Sequence, residues 1–189
     1  MPAAPSSDDI LMEPVMRQHA AAFHALASDP AVSATTHLPS PFPPGQAEAW
    51  IDTAMGARAK GEAFHFAMLH PQDGFIGCCS LVALSPRART AQLSYWVGRP
   101  YWGRGHATRA ARWMLDFAFE TLKLDRVRTC ALESNTASLR VLEKLGFQQV
   151  LRAPNRNPKF SLDDVLVFFE RAPESDRRRP EDTSLPGKR

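Results

Sequence analysis

Gln92-Leu-Ser-Tyr-Trp-Val-Gly-Arg-Pro-Tyr-Trp-Gly-Arg-Gly-His-Ala-Thr-Arg-Ala110 is the stretch that decides the fold. Leu93 to Val97 reads as a strand, and Gly103 and Gly105 make a tight turn. A helix must follow at once, because apolar residues fall at 107, 110, 111, 114, 115, 118 and 122. Steps of three and four put them on one stripe. Glycines before a helix start let the backbone approach a bulky anion and aim first-turn N–H groups at it, so the spacing predicts a phosphate cradle.

Upstream, Ile10 to Val15 reads as a first strand, and His19 to Ser28 as a helix stopped by Asp29-Pro30. Residues 37–45 carry four prolines and read as a loop; Leu38 to Phe42 within it either lines a cleft or packs as ordinary loop. Gln46 to Lys60 is helical in pattern, with Gly61 as its stop. Residues 63–70 and 75–84 form a hairpin about the turn at 71–74, and Thr90 to Val97 follows antiparallel. Downstream, Arg126 to Leu132 is a strand and Thr136 to Leu145 a helix with Asn135 as its N-cap. Phe147 to Arg152 and Ser161 to Glu170 are the last strands. The strand–helix–strand unit from Leu93 to Leu132 requires a parallel pair. The expected fold is therefore α/β, a single mixed and mostly antiparallel sheet with a central parallel pair and helices on both faces. Residues 1–9 are expected to be a disordered lead, 10–170 the folded domain, and 171–189 a disordered charged tail.

With 189 residues, 44% hydrophobic and 23% charged, the chain has the makings of one globular domain. No apolar run reaches the ~20 residues that span a bilayer, and the first residues lack a signal-peptide pattern, so no membrane partner and a cytoplasmic location are expected. The net charge is +3, of which +2 falls in residues 171–189. A body without basic excess argues against nucleic acid as a partner. Cys78, Cys79 and Cys130 lack metal-ligand spacing and read as buried small hydrophobes, with no metal expected. As neighbours on a strand, Cys78 and Cys79 should face opposite sides.

Trp102-Gly-Arg-Gly-His-Ala107, opening a helix, resembles the acyl-CoA signature of the GNAT superfamily of acetyltransferases, Gln/Arg-x-x-Gly-x-Gly/Ala. Gly105 and Ala107 fit, while Trp102 stands where Gln or Arg is usual. The longer phrase Tyr101 to Thr108, with Asn135-x-x-Ser138 and Glu143-Lys-Leu-Gly-Phe147, is similar to the RimJ/RimL-type branch. Asp164 to Phe168 fits a further, weaker pattern of that branch.

The resemblance implies acetyl-CoA as donor and an amine as acceptor: a protein N-terminus, preferred, or a small amine such as a polyamine or aminoglycoside. Gly103, Arg104, Gly105, His106, Ala107 and Thr108 would hold the pyrophosphate, and main-chain groups of Trp96, Val97 and Gly98 the pantetheine arm. A backbone N–H near Val97 or Gly98 would stabilise the developing oxyanion. Ser138 would protonate the leaving thiolate, and Asn135 would orient the pantetheine or the attacking group. Asn135 is equally an N-cap, Ser138 equally a solvated serine, and Arg104 and Arg109 equally phosphate contacts or solvated charges. His106 reads as a surface residue of the helix start. Gln92 stands where this branch often has a Glu base. The base is left among Glu133, Asp163, His65 or none, since an α-amine with a pKa near 7.7–8.0 is partly neutral already. The alternative is a non-catalytic acyl-CoA-binding or nucleic-acid-associated module on the same fold. A homodimer is left open.

Overall fold

The computed structural model describes residues 10–174; the lead at 1–9 and the tail from 175 lie outside the described residues. Seven strands form one sheet in the order β1-β2-β3-β4-β5-β7-β6. They are β1 (Leu11–Pro14), β2 (Phe64–His70), β3 (Gly74–Ser85), β4 (Thr90–Val97), β5 (Arg126–Leu132), β6 (Gln148–Pro154) and β7 (Val165–Arg171). Every neighbouring pair is antiparallel except β4–β5, the parallel pair required by the crossover between them. The fold class read from the sequence is the one observed.

Alternation along the strands supplies both faces of the sheet. Ala67 and Cys78 point to one side, where α1 (Ala20–Ala27) and α3 (Gln46–Ala59) cover them with Phe23, Ile51 and Ala54. Phe66, Met68, Cys79, Leu81 and Leu93 point to the other, under Met114 and Leu115 of α4 (His106–Asp116) and Leu142 of α5 (Thr136–Lys144). Cys78 and Cys79 thus lie buried on opposite faces, and all three cysteines are free thiols.

Local differences from the expected elements have local causes. Asp29 does end α1, and its carboxylate then accepts the Ala31 N–H (2.8 Å), capping a further short helix, α2 (Pro30–Ser33). The α4 stripe runs on through a π turn at Phe117–Thr121, where the Leu122 N–H reaches the Phe117 carbonyl (3.0 Å). The last strand starts later than expected, at Val165. Residues 161–164 form a turn instead, with the Asp164 N–H on the Ser161 carbonyl (3.1 Å) and the Asp163 N–H on Ser161 Oγ (3.2 Å). Its end passes the expected boundary by one residue: Arg171 pairs with Val127, and its guanidinium donates to the Leu145 carbonyl.

Candidate active site

The parallel pairing of β4 with β5 covers only Thr90–Arg126, Ala91–Val127 and Gln92–Arg128. Beyond Gln92 the strands part, while β4 stays paired to β3 as far as Val97–Gly77. The far half of β4 therefore lines a gap in the sheet. The Leu93 carbonyl faces that gap, accepting from Thr129 Oγ1 (2.9 Å), and so does the Val97 carbonyl, accepting from the Trp102 indole N–H (2.6 Å). By period-two alternation the main-chain groups of Tyr95 and the Val97 N–H face it too. The Gly98 N–H turns the other way, to the Ile76 carbonyl (2.8 Å). A strand edge open to one side is what an extended amide-bearing arm needs in order to pair as an added strand.

The start of α4 faces the same gap. Gly105, its N-cap, has φ +79° and no side chain to cap with, so the first-turn N–H groups of Ala107 and Thr108 have no carbonyl below them. A Cβ at Gly105 would stand 3.2 Å from Arg109 Nη1; one at Gly103 (φ +75°) would meet only open space. The Arg109 guanidinium folds back, donating to the Arg104 carbonyl (3.1 Å) and to His106 Nδ1 (2.9 Å), which braces the glycine turn. The glycine-lined approach, the dipole of an 11-residue helix and the open strand edge together suit a pyrophosphate with a pantetheine arm.

Around the gap runs a cleft of about 780 Å³. Of the residues expected to hold the donor, Trp96, Val97, Gly103, Gly105, His106, Ala107, Thr108 and Asn135 line it. Gly98 does not: it packs on Leu26, whose side chain a Cβ would meet at 2.8 Å. Nor does Arg104, which lies exposed beside the Tyr101 ring. His106 is not at the surface, contrary to expectation. It is buried, edge-on to His70 at 5.6 Å, because the first turn of α4 sits down on β2.

Asn135 caps α5 as read, its Oδ1 accepting the Ser138 N–H (3.1 Å). Ser138 reaches into the cleft with Oγ 2.8 Å from the Tyr95 hydroxyl. Burial pushes the Tyr95 phenol up to about 12, with the Ser138 hydrogen bond opposing, so it stays protonated at neutral pH. Sequence reasoning missed Tyr95; its partner lies 43 residues away in the chain.

On the α1/α3 side the lining is aromatic: Phe23, Phe42, Trp50 and Trp96, with Leu38 and Pro39 from the proline-rich loop. Phe23 meets Trp50 at 5.0 Å and Trp96 at 4.9 Å. Lys159 clamps this loop from the β6–β7 connection, donating to the carbonyls of Thr36 (2.5 Å) and Leu38. Among the described residues, no Asp or Glu lines the cleft. Of the candidate bases, Glu133 is ion-paired with Arg152 and Asp163 lies exposed on the 161–164 turn, both away from the cleft; His65 lines it. Among the described residues there is no group of three or more His, Cys, Asp or Glu arranged to hold a metal, and no helix long and apolar enough to cross a membrane.

A mixed sheet that opens at its parallel pair, with a glycine-led helix start aimed into the opening, defines a transferase for acyl groups carried on a phosphorylated thiol. The chain belongs to the GNAT acetyltransferase family: residues 9–148 match the family model described as acetyltransferase (GNAT) domain. It is 30% identical over 144 residues to the uncharacterized N-acetyltransferase p20 of Bacillus licheniformis, covering 75% of this chain and 80% of that one. The fold is shared with Mycobacterium smegmatis RimJ in complex with CoA-disulfide (TM-score 0.78, 21% identity, 88% of this chain and 83% of that one). RimL, a ribosomal L7/L12 alpha-N-protein acetyltransferase in complex with coenzyme A, shares it too (0.77, 18%, 89% and 96%). So does a Vibrio cholerae spermidine N-acetyltransferase with CoA and spermine (0.76, 14%, 86% and 95%). The family and the p20 relative together make the protein an N-acetyltransferase.

Proposed function

We propose that this N-acetyltransferase moves the acetyl group of acetyl-CoA to a weakly basic amine beside an apolar group, with a protein N-terminal α-amine the best fit. The observation that carries this reading is the carboxylate-free aromatic lining on the acceptor side of the cleft. A polyamine or an aminoglycoside brings several ammonium groups, and each desolvated cation needs a paired anion. The faces of Trp50, Trp96 and Phe23 suit one cation at most. At pH 7.5 about a third of α-amines are neutral, against about 0.1% of alkylamines, from pKa values near 7.8 and 10.4. A cleft without a carboxylate base favours the former.

On the donor side the helix start at Ala107 and Thr108 would hold the pyrophosphate, and the open edge of β4 the pantetheine amides. That places the thioester in the gap, with the Val97 N–H as donor to its oxygen. Ser138 lies on the side where the thiol would leave, and its hydroxyl, held by Tyr95, supplies the proton. The test is thiol release from acetyl-CoA with N-terminal peptides bearing small or apolar first residues, spermidine and an aminoglycoside. Peptides should turn over at least ten times faster than either polycation. A preference for spermidine would overturn the acceptor assignment, and CoA binding without turnover on any amine would overturn transfer.

A further inference from the structure

The cleft holds a polar couple that the donor motif does not account for. His65 on β2, Ser80 on β3 and Ser94 on β4 form one cross-strand row: His65 pairs with Ser80, and Ser80 with Ser94. Their side chains share the α1/α3 face of the sheet, and all three line the cleft. His65 Nδ1 and Ser80 Oγ are 2.8 Å apart. The Trp50 ring closes over His65, edge-on at 4.8 Å. Ser94 is exposed to the cleft, whereas Ser80 is buried between it and the imidazole. The row ends where β4 leaves β5, two residues past the last parallel pair at Gln92–Arg128. Gln92 stands beside it and cannot accept a proton.

We propose that His65, acting through Ser80, takes the proton from the acceptor amine; this rests on the transfer reading above. A proton leaves the acceptor nitrogen for Ser80 Oγ, through Ser94 where the amine stands further out, as the Ser80 hydroxyl proton passes to His65 Nδ1. The nitrogen pair so freed from the ammonium forms the C–N bond, the acidic nitrogen of the adduct gives its second proton to solvent, the C–S bond breaks, and the sulfur takes a proton from Ser138. His65 releases its proton to solvent, and Ser138 regains one from it, before the next turnover.

The surroundings keep the imidazole neutral and ready. Burial lowers its pKa below the ordinary 6.5. Besides His65, Ser80 has Cys78 beside it (Sγ to Oγ 3.7 Å), a neutral thiol pushed up to about 12 by burial. Charged groups on the elements packed around β2 turn elsewhere. On α3, Glu48 is exposed, Asp52 binds Arg17, and Arg58 lies over Phe64 and Phe66. On β1, Glu13 reaches Gln18 and His19.

The test uses His65→Gln, which keeps a partner for Ser80 but cannot take a proton, and Ser80→Ala, which cuts the link. With an N-terminal peptide at pH 7, where about 14% of an α-amine of pKa near 7.8 is neutral already, each should lower kcat/KM about five- to tenfold, with CoA affinity unchanged by calorimetry. At pH 9.5, where the α-amine is neutral by itself, both should recover to within about threefold of the wild type. The wild-type rate should fall on the acid side with the midpoint of the His65 ring resonance, identified by its loss in His65→Gln and followed by NMR without substrate. Variants that match the wild type at pH 7, or a defect that persists at pH 9.5, would overturn the assignment while leaving transfer intact. A wild type without turnover on any amine at any pH would overturn the transfer reading, and this assignment with it.

Discussion

Tyr95→Phe removes one hydroxyl and leaves the ring in place, so it tests the Tyr95–Ser138 couple without opening a cavity. The lost 2.8 Å hydrogen bond is neutral, worth about 0.5–1.5 kcal/mol net. Ser138 Oγ borders the cleft, where water can replace the phenol, so the stability loss should lie at the low end of that range. The effect on turnover has the same ceiling. If the phenol only orients the Ser138 hydroxyl, losing about 0.7–1.4 kcal/mol of that orientation lowers kcat about three- to tenfold. Ser138→Ala removes the proton donor itself and should lower kcat by about 10² to 10⁴, with kcat/KM falling in parallel. Because Tyr95 acts through Ser138, the double variant should be no slower than Ser138→Ala alone. The phenol, pushed up to about 12, should leave no mark on the pH profile between 6 and 9. The assay is steady-state thiol release, with calorimetric CoA affinity as the binding control. If the two defects multiply, Tyr95 acts on its own account and the couple is misread. If Ser138→Ala keeps normal turnover, the serine is a helix-start residue and the thiolate takes its proton from solvent.

Gly105→Val forces a β-branched side chain to φ +79° and into the anion approach, so CoA affinity should drop at least about tenfold while circular dichroism stays native; unchanged affinity would remove the cradle assignment. Leu142→Ala empties a buried site where α5 meets the sheet and should destabilise the fold by about 2–5 kcal/mol in a urea titration, with a shift under 1 kcal/mol arguing that α5 is loosely packed. His19 and His65 both have pKa values lowered, chiefly by burial, whereas the unfolded chain takes up protons near 6.5. Their contribution is therefore complete above about pH 6.5 and lost as pH falls through the lower folded values, so urea midpoints should drop between pH 7 and 5.5, and His65→Gln should drop less. Equal slopes for the two proteins would show that His65 titrates as it does when unfolded.

The donor half of the site was legible in the sequence because backbone does the work there. Gly103 and Gly105 are chosen for their φ and for close approach, and the residues after them are chosen to start a helix; both constraints are written as residue types at fixed spacing. The acceptor half is assembled from side chains of α1, the 37–45 loop, α3, β2 and β3, whose meeting depends on how α1 and α3 lie on the sheet. Nothing in the local pattern distinguishes Trp50 or Phe23 from ordinary core residues. His106 was misjudged for the same reason: the pattern shows where α4 begins, but not how deeply its first turn sits on β2. Tyr95 carried a signal of a kind, since alternation on β4 puts it on the same face as Leu93 and Val97, towards α4 and α5. The choice of Ser138 as its partner is made only by the packing of α5 across the gap.

That alternation also explains how the chain keeps proton uptake apart from proton delivery. Ser94 and Tyr95 are neighbours on β4 and point to opposite faces of the sheet. Ser94 continues the row to Ser80 and His65 under α1 and α3; Tyr95 holds Ser138 under α4 and α5. In a continuous sheet two such groups would be walled off from each other by the strand between them. Here the parting of β4 from β5 after Gln92 removes the neighbouring strand, and one cleft reaches both faces. An amine entering from the aromatic side and a thiol leaving on the other can then meet at one carbon, each beside its own proton relay. The two relays are not hydrogen-bonded to each other through any side chain, so the proton taken from the amine is not handed straight to the sulfur. Exchange with solvent must intervene on both sides, and the rate should respond to the two faces independently. His65→Gln and Ser138→Ala should thus multiply in their effects on kcat/KM, in contrast to Tyr95→Phe and Ser138→Ala, which should not. A double variant no slower than the worse single one would mean that the two faces share a single proton path.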